Sequence, residues 1–375
     1  MIIGVPKEIK VHEYRVGATP EMVRMLVGHR HHVIVETKAG ASIGFSDEDY
    51  EKAGARIVNS AVEVYKSEMI LKVKEPQESE FSLMHEGQLL FCFFHLAPDP
   101  IQTKHLIDKK VIAIAYETVT DKNGRLPLLR PMSEIAGRIS IQVGATYLQL
   151  NHGGKGILLG GVPGVPPARV VVIGGGLAGT EAARMAMGLG ANVIILDRDL
   201  DRLRELDLLF GPQLSTVYST SSSIEEAVVH ADLVIGSVLL PGKTAPKLVT
   251  KEMIKKMSPG SVVIDIAIDQ GGCFETSRPT THTNPIYVVD EVIHYCVTNM
   301  PGACARTSTL ALTHATMNYV LALANKGFVK ALREDRGLKE GLNLFKGHVT
   351  NESVAHDLGY PCMSTDFALA HFEET

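Results

Sequence analysis

Short runs of apolar, mostly β-branched residues recur along the chain, and between them lie stretches whose apolar positions return every three or four residues. The first pattern is that of a strand buried on both faces and the second that of an amphipathic crossover helix, so their alternation predicts an α/β protein with parallel sheets. In the first third, strands are expected at 2–5, 32–36, 69–73, 89–94 and 111–115. Helices are expected between them, among others at 20–27 and 47–53, the second opened by Ser46 with Asp49 three residues on in a capping-box arrangement.

A polar turn, Asp121-Lys122-Asn123-Gly124, precedes a long helical pattern over 131–150, with Pro131 in the first turn where its missing N–H costs nothing. Residues 153–167 are too rich in Gly and Pro to be helix or central strand. A second series of strands is then expected at 169–173, 192–196, 215–218, 232–235 and 261–264. The last helical pattern, 307–326, leads into a polar tail with little periodicity. No short fixed repeat or low-complexity tract is present.

With 375 residues the chain is long enough for two to three domains, each with its own core. Apolar residues make up 45% and charged residues 21%, and 37 Lys+Arg against 42 Asp+Glu give a net charge of −5. No basic footprint for nucleic acid appears. The N-terminus lacks the basic and apolar regions of an export signal. The most apolar helical stretch, 310–324, is interrupted by Thr313, His314 and Asn318, so no membrane span is expected. Five cysteines without a CxxC pair suggest neither a disulfide framework nor a zinc ribbon, and fit a reducing cytoplasm.

The sharpest motif follows the strand expected at 169–173. Gly174-Gly175-Gly176-Leu177-Ala178-Gly179 stands between that strand and a helical pattern at 180–188, the setting that gives a GxGxxG its meaning. Gly174 permits a tight turn, Gly176 a close approach to a pyrophosphate, and Gly179 close packing of helix on strand. The helix N-terminus adds N–H donors and a favourable dipole. Asp197 closes the next strand, 18 residues after Gly179, where a carboxylate can bond both ribose hydroxyls and repel a 2′-phosphate. That favours NAD over NADP, although neighbouring Arg198 is a residue type that accepts the phosphate in other sites.

In the first series, polar residues stand where strands end or loops begin, Arg15 in Glu13-Tyr14-Arg15, Lys74 after the strand at 69–73 and His95 after that at 89–94, and strand ends are where open α/β sheets gather their ligands. Singly, each has a plainer reading: a loop charge for Arg15, a partner of Glu75 for Lys74, a satisfied rim histidine for His95. Together, two cations and a histidine would bind a carboxylate and protonate a carbonyl oxygen. In the second series, Asp265 lies on an apolar strand and reads as a turn cap or a partner of a cation, whereas Asp269, before Gly271 and Gly272, belongs at the strand mouth. The other histidines, including the run His29-Arg30-His31-His32, show no ligand spacing and read as surface or packing residues.

Several long words stand in order along the chain: GVPKE at 4–8 with Tyr14-Arg15, KVKEPQ at 72–77, AYETV at 115–119 and PMSEIAGR at 131–138. They continue with LLGGVPGV at 158–165, the glycine loop, IAIDQGGC at 266–273 and HYCVTNMPG at 294–302. By these words the chain resembles bacterial L-alanine dehydrogenases over essentially its whole length. The resemblance implies two Rossmann-like doubly wound domains with a cleft between them: a discontinuous substrate domain, 1–127 plus 307–375, and an NAD domain, 128–306. It implies reversible NAD-dependent deamination of L-alanine to pyruvate and ammonium by a cytoplasmic homohexamer.

By the same resemblance Arg15 holds the substrate carboxylate, Lys74 contacts substrate, and His95 and Asp269 are the acid/base groups. The dinucleotide would be met by Ser133, Gly174, Gly176, Leu177, Ala178, Gly179, Asp197, Arg202, Ser219, Val238, Leu239, Ile266, Ala267, Ile268, Asp269, Arg278, Val297, Thr298, Asn299 and Met300. Two positions depart from the family's pattern. Cys304-Ala305 stands where an apolar residue and a proline are usual, which would loosen the crossing between domains, and Lys326 replaces a residue that in some relatives binds a divalent ion together with the match to Glu117. No metal is therefore expected. Two other readings are an NAD-binding component of a membrane transhydrogenase, which would need neither Arg15, Lys74 nor His95, and a non-catalytic NAD sensor on the same fold.

Overall fold

The computed structural model describes residues 1–238 and 244–371. It separates into two units, Met1–Pro131 with the chain from Ala305 onward, and Met132–Cys304. The chain leaves the first unit inside the helix Arg130–Tyr147 and returns to it where a 3-10 turn, Met300–Cys304, runs into the helix Ala305–Lys326.

In the first unit, β1 (Ile2–Val5), β2 (His32–Glu36), β3 (Arg56–Val58), β4 (Met69–Leu71), β5 (Leu89–Cys92) and β6 (Ile112–Ala115) pair in parallel. The order along the sheet is β15-β14-β6-β5-β4-β1-β2-β3, in which β14 (Leu342–Phe345) and β15 (His348–Val349) are antiparallel. Every residue of β4, β5 and β6 is buried, as strands covered on both faces must be. The order reverses direction at β1: β2 lies on one side and β4 on the other, so the chain leaving β1 and the chain leaving β4 flank a topological switch point.

The stretch after residue 326, expected to be a tail of little periodicity, is instead structured. It forms the helices Phe328–Glu334, Arg336–Lys339, Glu352–Leu358 and Thr365–His371 as well as β14 and β15. None exceeds seven residues, too short for a helical or alternating period to declare itself. Leu344 and Val349 nonetheless join the core cluster that contains Leu90, Phe94 and Ala113.

Strands β7 (Arg169–Ile173), β8 (Asn192–Asp197), β9 (Leu214–Tyr218), β10 (Leu233–Gly236), β11 (Val262–Asp265), β12 (Ile286–Val289) and β13 (Val292–Tyr295) build the second unit in the order β12-β13-β11-β10-β7-β8-β9. All pairings are parallel except β12 with β13. Successive side chains feed opposite layers: Val170, Val172, Leu233, Ile235, Val262 and Ile264 enter one core cluster, Val171, Ile173, Val234 and Val263 the other. This strict alternation defines a doubly wound sheet. Hairpin β12–β13 escaped the sequence reading because its turn is Asp290-Glu291, both at positive φ (47° and 62°), in place of the glycine that normally marks such a turn.

One buried ion cluster braces the first unit. Lys72 is 1% exposed and its ammonium lies 2.8 Å from Glu80 and 3.3 Å from Glu8. Burial opposes the charge, but the two carboxylates outweigh it and hold the lysine above its ordinary range. Tyr65 donates to Glu80 at 2.9 Å. Replacing Lys72 by Met would strand two buried carboxylates, and the unfolding free energy should fall by about 3–5 kcal/mol in denaturant titration. A loss below about 1 kcal/mol would show that the cluster does not brace the fold.

Candidate active site

In each unit the parallel pairing brings the C-terminal ends of the strands to one edge of the sheet, and several of the expected site residues follow those ends. In the first unit Arg15 follows β1, Lys74 follows β4 and His95 follows β5. Arg15 is 2% exposed, its Nε and Nη2 donating to the two oxygens of Glu13 at 2.7 and 2.6 Å, so a buried carboxylate fixes the plane of the guanidinium. Glu13 itself is held ionised, because the bonds from Arg15 overcome the cost of burial.

Lys74 is partly buried, and burial, with the charge of Arg15 next, lowers its pKa. Its ammonium therefore gives up a proton more readily than a surface lysine does. Glu75, the plainer partner weighed for Lys74, is paired with Lys10. His95 is exposed, has φ +50°, and its ring lies parallel to that of Phe93 with centroids 6.0 Å apart. The backbone N–H of His95 donates to Glu117 Oε1 at 2.6 Å.

In the second unit the glycine loop leaves β7 and enters the helix Leu177–Gly188 three residues earlier than the sequence pattern suggested. Gly174 has φ +102°. A Cβ on Gly179 would stand 1.9 Å from the carbonyl of Gly174 and 2.6 Å from Ser237 Oγ, while a Cβ on Gly176 would meet nothing within 4 Å. The first glycine is thus required by packing. The second leaves open, at the start of a helix, the space that a pyrophosphate would fill. Residues and group fit: a dinucleotide would lie against the amides of Leu177 and Ala178.

Asp197 closes β8, accepting from the Gly175 N–H at 2.6 Å and the Asp199 N–H at 2.9 Å. Ser219 follows β9, its N–H bonded to the Asp197 carbonyl, and Val238 follows β10 beside Gly174. Ser133 lies one helical turn from Gly137, whose Cα packs on the Ala178 carbonyl. Leu239 lies outside the described residues.

Arg202 is bonded to the glycine loop itself. Nε donates to the Gly175 carbonyl at 2.7 Å, Nη2 to Thr180 at 2.8 Å and Nη1 to Glu205 at 2.7 Å, so the guanidinium clamps the glycine loop from below. Arg198 instead lines an open depression of about 580 Å³ beside Asp197, together with Asp199, Leu200, Asp201, Arg204 and Tyr218.

Asp265 is wholly buried and caps the turn after β11, accepting from the N–H groups of Ala267 and Cys273 at 3.1 and 2.9 Å and from the Ser277 hydroxyl. Burial raises its pKa. It shapes the turn Ile266–Gln270 in which Ala267 and Ile268 point inward and Asp269 outward. After β13, Val297 and Met300 belong to the core, and Thr298 and Asn299 are the more open residues of that loop. Arg278 lies over the ring of Tyr287 at 4.2 Å, a stacking the sequence did not announce.

His31 is a packing histidine, bonded to Asn325 at 2.8 Å, and buried His294 is held between Thr276 and the Val292 carbonyl. Lys326 is paired with Glu334 at 2.6 Å. Among the described residues no cluster of three or more His, Cys, Asp or Glu is arranged to hold a metal ion, and no helix is long and apolar enough to cross a membrane.

A doubly wound sheet with a glycine loop at its switch point, joined to a second α/β unit with cations and a histidine at its strand ends, defines a dinucleotide-dependent enzyme of the Rossmann class. Comparison with known proteins makes the assignment specific. Residues 4–136 match the family model "Alanine dehydrogenase/PNT, N-terminal domain" and residues 140–352 the corresponding C-terminal domain. The chain belongs to the alanine dehydrogenase/PNT family. It is 56% identical over 360 residues to an alanine dehydrogenase of Halomonas elongata, covering 96% of this chain and 97% of that one. A solved L-alanine dehydrogenase superposes with TM-score 0.94 at 51% identity, covering 96% of this chain and 99% of that one. A transhydrogenase from Sinorhizobium meliloti superposes with TM-score 0.82 at 25% identity, covering 93% and 100%.

The two glycines give a paired prediction. Gly179→Ala should both destabilise the second unit and abolish NADH binding, whereas Gly176→Ala should cost about 1 kcal/mol or less of stability yet weaken NADH binding at least about tenfold. Thermal unfolding and fluorescence titration with NADH check it; equal stability losses would contradict the division of labour.

Proposed function

We propose that this chain is an NAD-dependent L-alanine dehydrogenase, interconverting L-alanine with pyruvate and ammonium. What supports the reading is that Arg15, Lys74 and His95 are carried by the segments that follow the adjoining strands β1, β4 and β5, in a chain more than half identical to alanine dehydrogenases. In the direction of amination, Arg15 holds the pyruvate carboxylate while Lys74 and protonated His95 polarise the carbonyl oxygen. Ammonia adds to the carbonyl carbon, the oxygen takes a proton, and water leaves with a second proton supplied through His95. Bound NADH supplies the hydride that reduces the resulting iminium carbon. Asp269 steadies the positive nitrogen and handles its protons. Oxidation of alanine reverses each step.

Asp197 selects NAD, since its carboxylate accepts from the ribose hydroxyls and repels a 2′-phosphate. The proposal extends to a cytoplasmic homohexamer that uses neither metal, nucleic acid nor membrane. The transhydrogenase reading has no use for the groups at Arg15, Lys74 and His95.

The direct test is the fall of NADH absorbance with pyruvate plus ammonium, which neither the transhydrogenase nor the sensor reading predicts. In that assay His95→Ala should lower kcat about 10²–10⁴-fold with NADH binding retained, and near-normal turnover would remove His95 from the chemistry. Arg15→Lys keeps the charge but loses the planar fork, so it should raise the pyruvate KM; an unchanged KM would place Arg15 outside the site. Asp197→Ala should gain activity with NADPH and lose some with NADH. The phosphate would be met by Arg198, with Arg202, bonded to the glycine loop, as the second cation in reach. No gain with NADPH would show that Asp197 does not read the ribose.

A further inference from the structure

Beyond the groups assigned to substrate, one carboxylate stands out by what it binds. The chain leaving β5 carries Phe94 and His95, whose successive N–H groups turn toward a single acceptor, Glu117, on the 3-10 turn that follows the neighbouring strand β6. Phe94 N–H reaches Oε1 at 3.1 Å and Oε2 at 3.3 Å, and His95 N–H reaches Oε1 at 2.6 Å. Two consecutive amides converging on one point form a concave anion site. Here the anion is a side chain of the same unit.

The geometry has a cause and a consequence. His95 has φ +50°, a left-handed conformation that a residue with a side chain rarely adopts, so something must compensate for it. Without Glu117 the two amides would lose their acceptor, and His95 could relax toward an extended backbone, swinging the imidazole away from its place along Phe93. The Phe94 carbonyl is tied separately by Gln102 Nε2 at 3.0 Å, which leaves the turn at 94–95 as the adjustable joint.

The same device recurs two strands away. Glu8, which follows β1, accepts from the N–H groups of Val73 at 2.7 Å and Lys74 at 3.3 Å, just where β4 ends. In both places a carboxylate at the end of a neighbouring strand fixes the two residues that deliver a candidate functional side chain.

We propose that Glu117 is a positioning residue: by accepting the N–H groups of Phe94 and His95 it holds His95 in the left-handed conformation from which its imidazole serves the reaction. The proposal rests on the role given to His95 above. Glu117 acts through His95 and has no independent part in binding pyruvate or NADH.

The test is a double-mutant cycle in the NADH, pyruvate and ammonium assay. Glu117→Ala should lower kcat about 10²-fold, the scale of a misplaced group, with pyruvate KM and NADH Kd within about twofold of wild type. Glu117→Gln keeps an oxygen that can accept both N–H bonds, and should recover kcat to within about tenfold of wild type. On a His95→Ala background either substitution should change kcat by less than about twofold, because the group it positions is gone. Should Glu117→Ala fail to fold, Glu117→Gln alone completes the cycle. Equal losses with and without His95, a loss confined to KM, or normal turnover in Glu117→Ala would each overturn the proposal. Absence of turnover in the wild type would instead overturn the reading of the whole site.

Discussion

Where a parallel strand stops, its ladder of hydrogen bonds stops too, and the next backbone N–H groups need other acceptors. All parallel strands of a sheet stop on the same edge, so these donors collect where ligands bind. This chain answers the need with carboxylates at the strand ends, three of them on an adjoining strand and Asp265 on its own. Glu8 takes the amides of Val73 and Lys74, Glu117 those of Phe94 and His95, Asp197 that of Gly175, and Asp265 those of Ala267 and Cys273. Glu13 does for the side chain of Arg15 what the others do for backbone. The candidate site groups are thereby placed by charge-assisted bonds, and the loops that carry them are defined without long secondary structure.

The two units use this frame differently. In the second, the frame shapes a glycine loop around space: Gly176 opens toward nothing, while Gly179, Thr180 and Arg202 draw the loop onto its own helix. In the first, it arranges charge. Lys72 is neutralised by Glu8 and Glu80, whereas Lys74, two residues on, loses affinity for its proton through burial first and the field of Arg15 next. A lysine held as an ion and a lysine disposed to release its proton thus stand two residues apart, because carboxylates outweigh burial at Lys72 and do not at Lys74.

Much of this was legible in the sequence, for physical reasons that differ from place to place. Strands such as Arg169–Ile173 and Leu89–Cys92 are buried on both faces, so an apolar run betrays them, and the glycine loop is announced by steric need. The short elements after residue 326 and the hairpin turning at Asp290-Glu291 carry no such mark. Nor did the sequence show that Arg202 bonds the glycine loop, since its partners Gly175 and Thr180 lie 27 and 22 positions away. Glu117 was visible only as the match to a metal ligand in relatives. Its bonds to Phe94 and His95 join residues 22 and more positions apart, which no local pattern encodes.

In the proposed reaction these groups hold an oxo acid that has taken up ammonia while a reduced nicotinamide delivers a hydride to its carbon. It is tested most directly by incubating the protein with pyruvate, ammonium and NADH deuterated at both C4 positions, then reading the products by mass spectrometry and NMR. The account predicts L-alanine bearing one deuterium on Cα, formed in step with NADH consumed. Oxidation of the labelled NADH without deuterium in alanine, or transfer of the label to an added oxidised dinucleotide in place of the oxo acid, would contradict it.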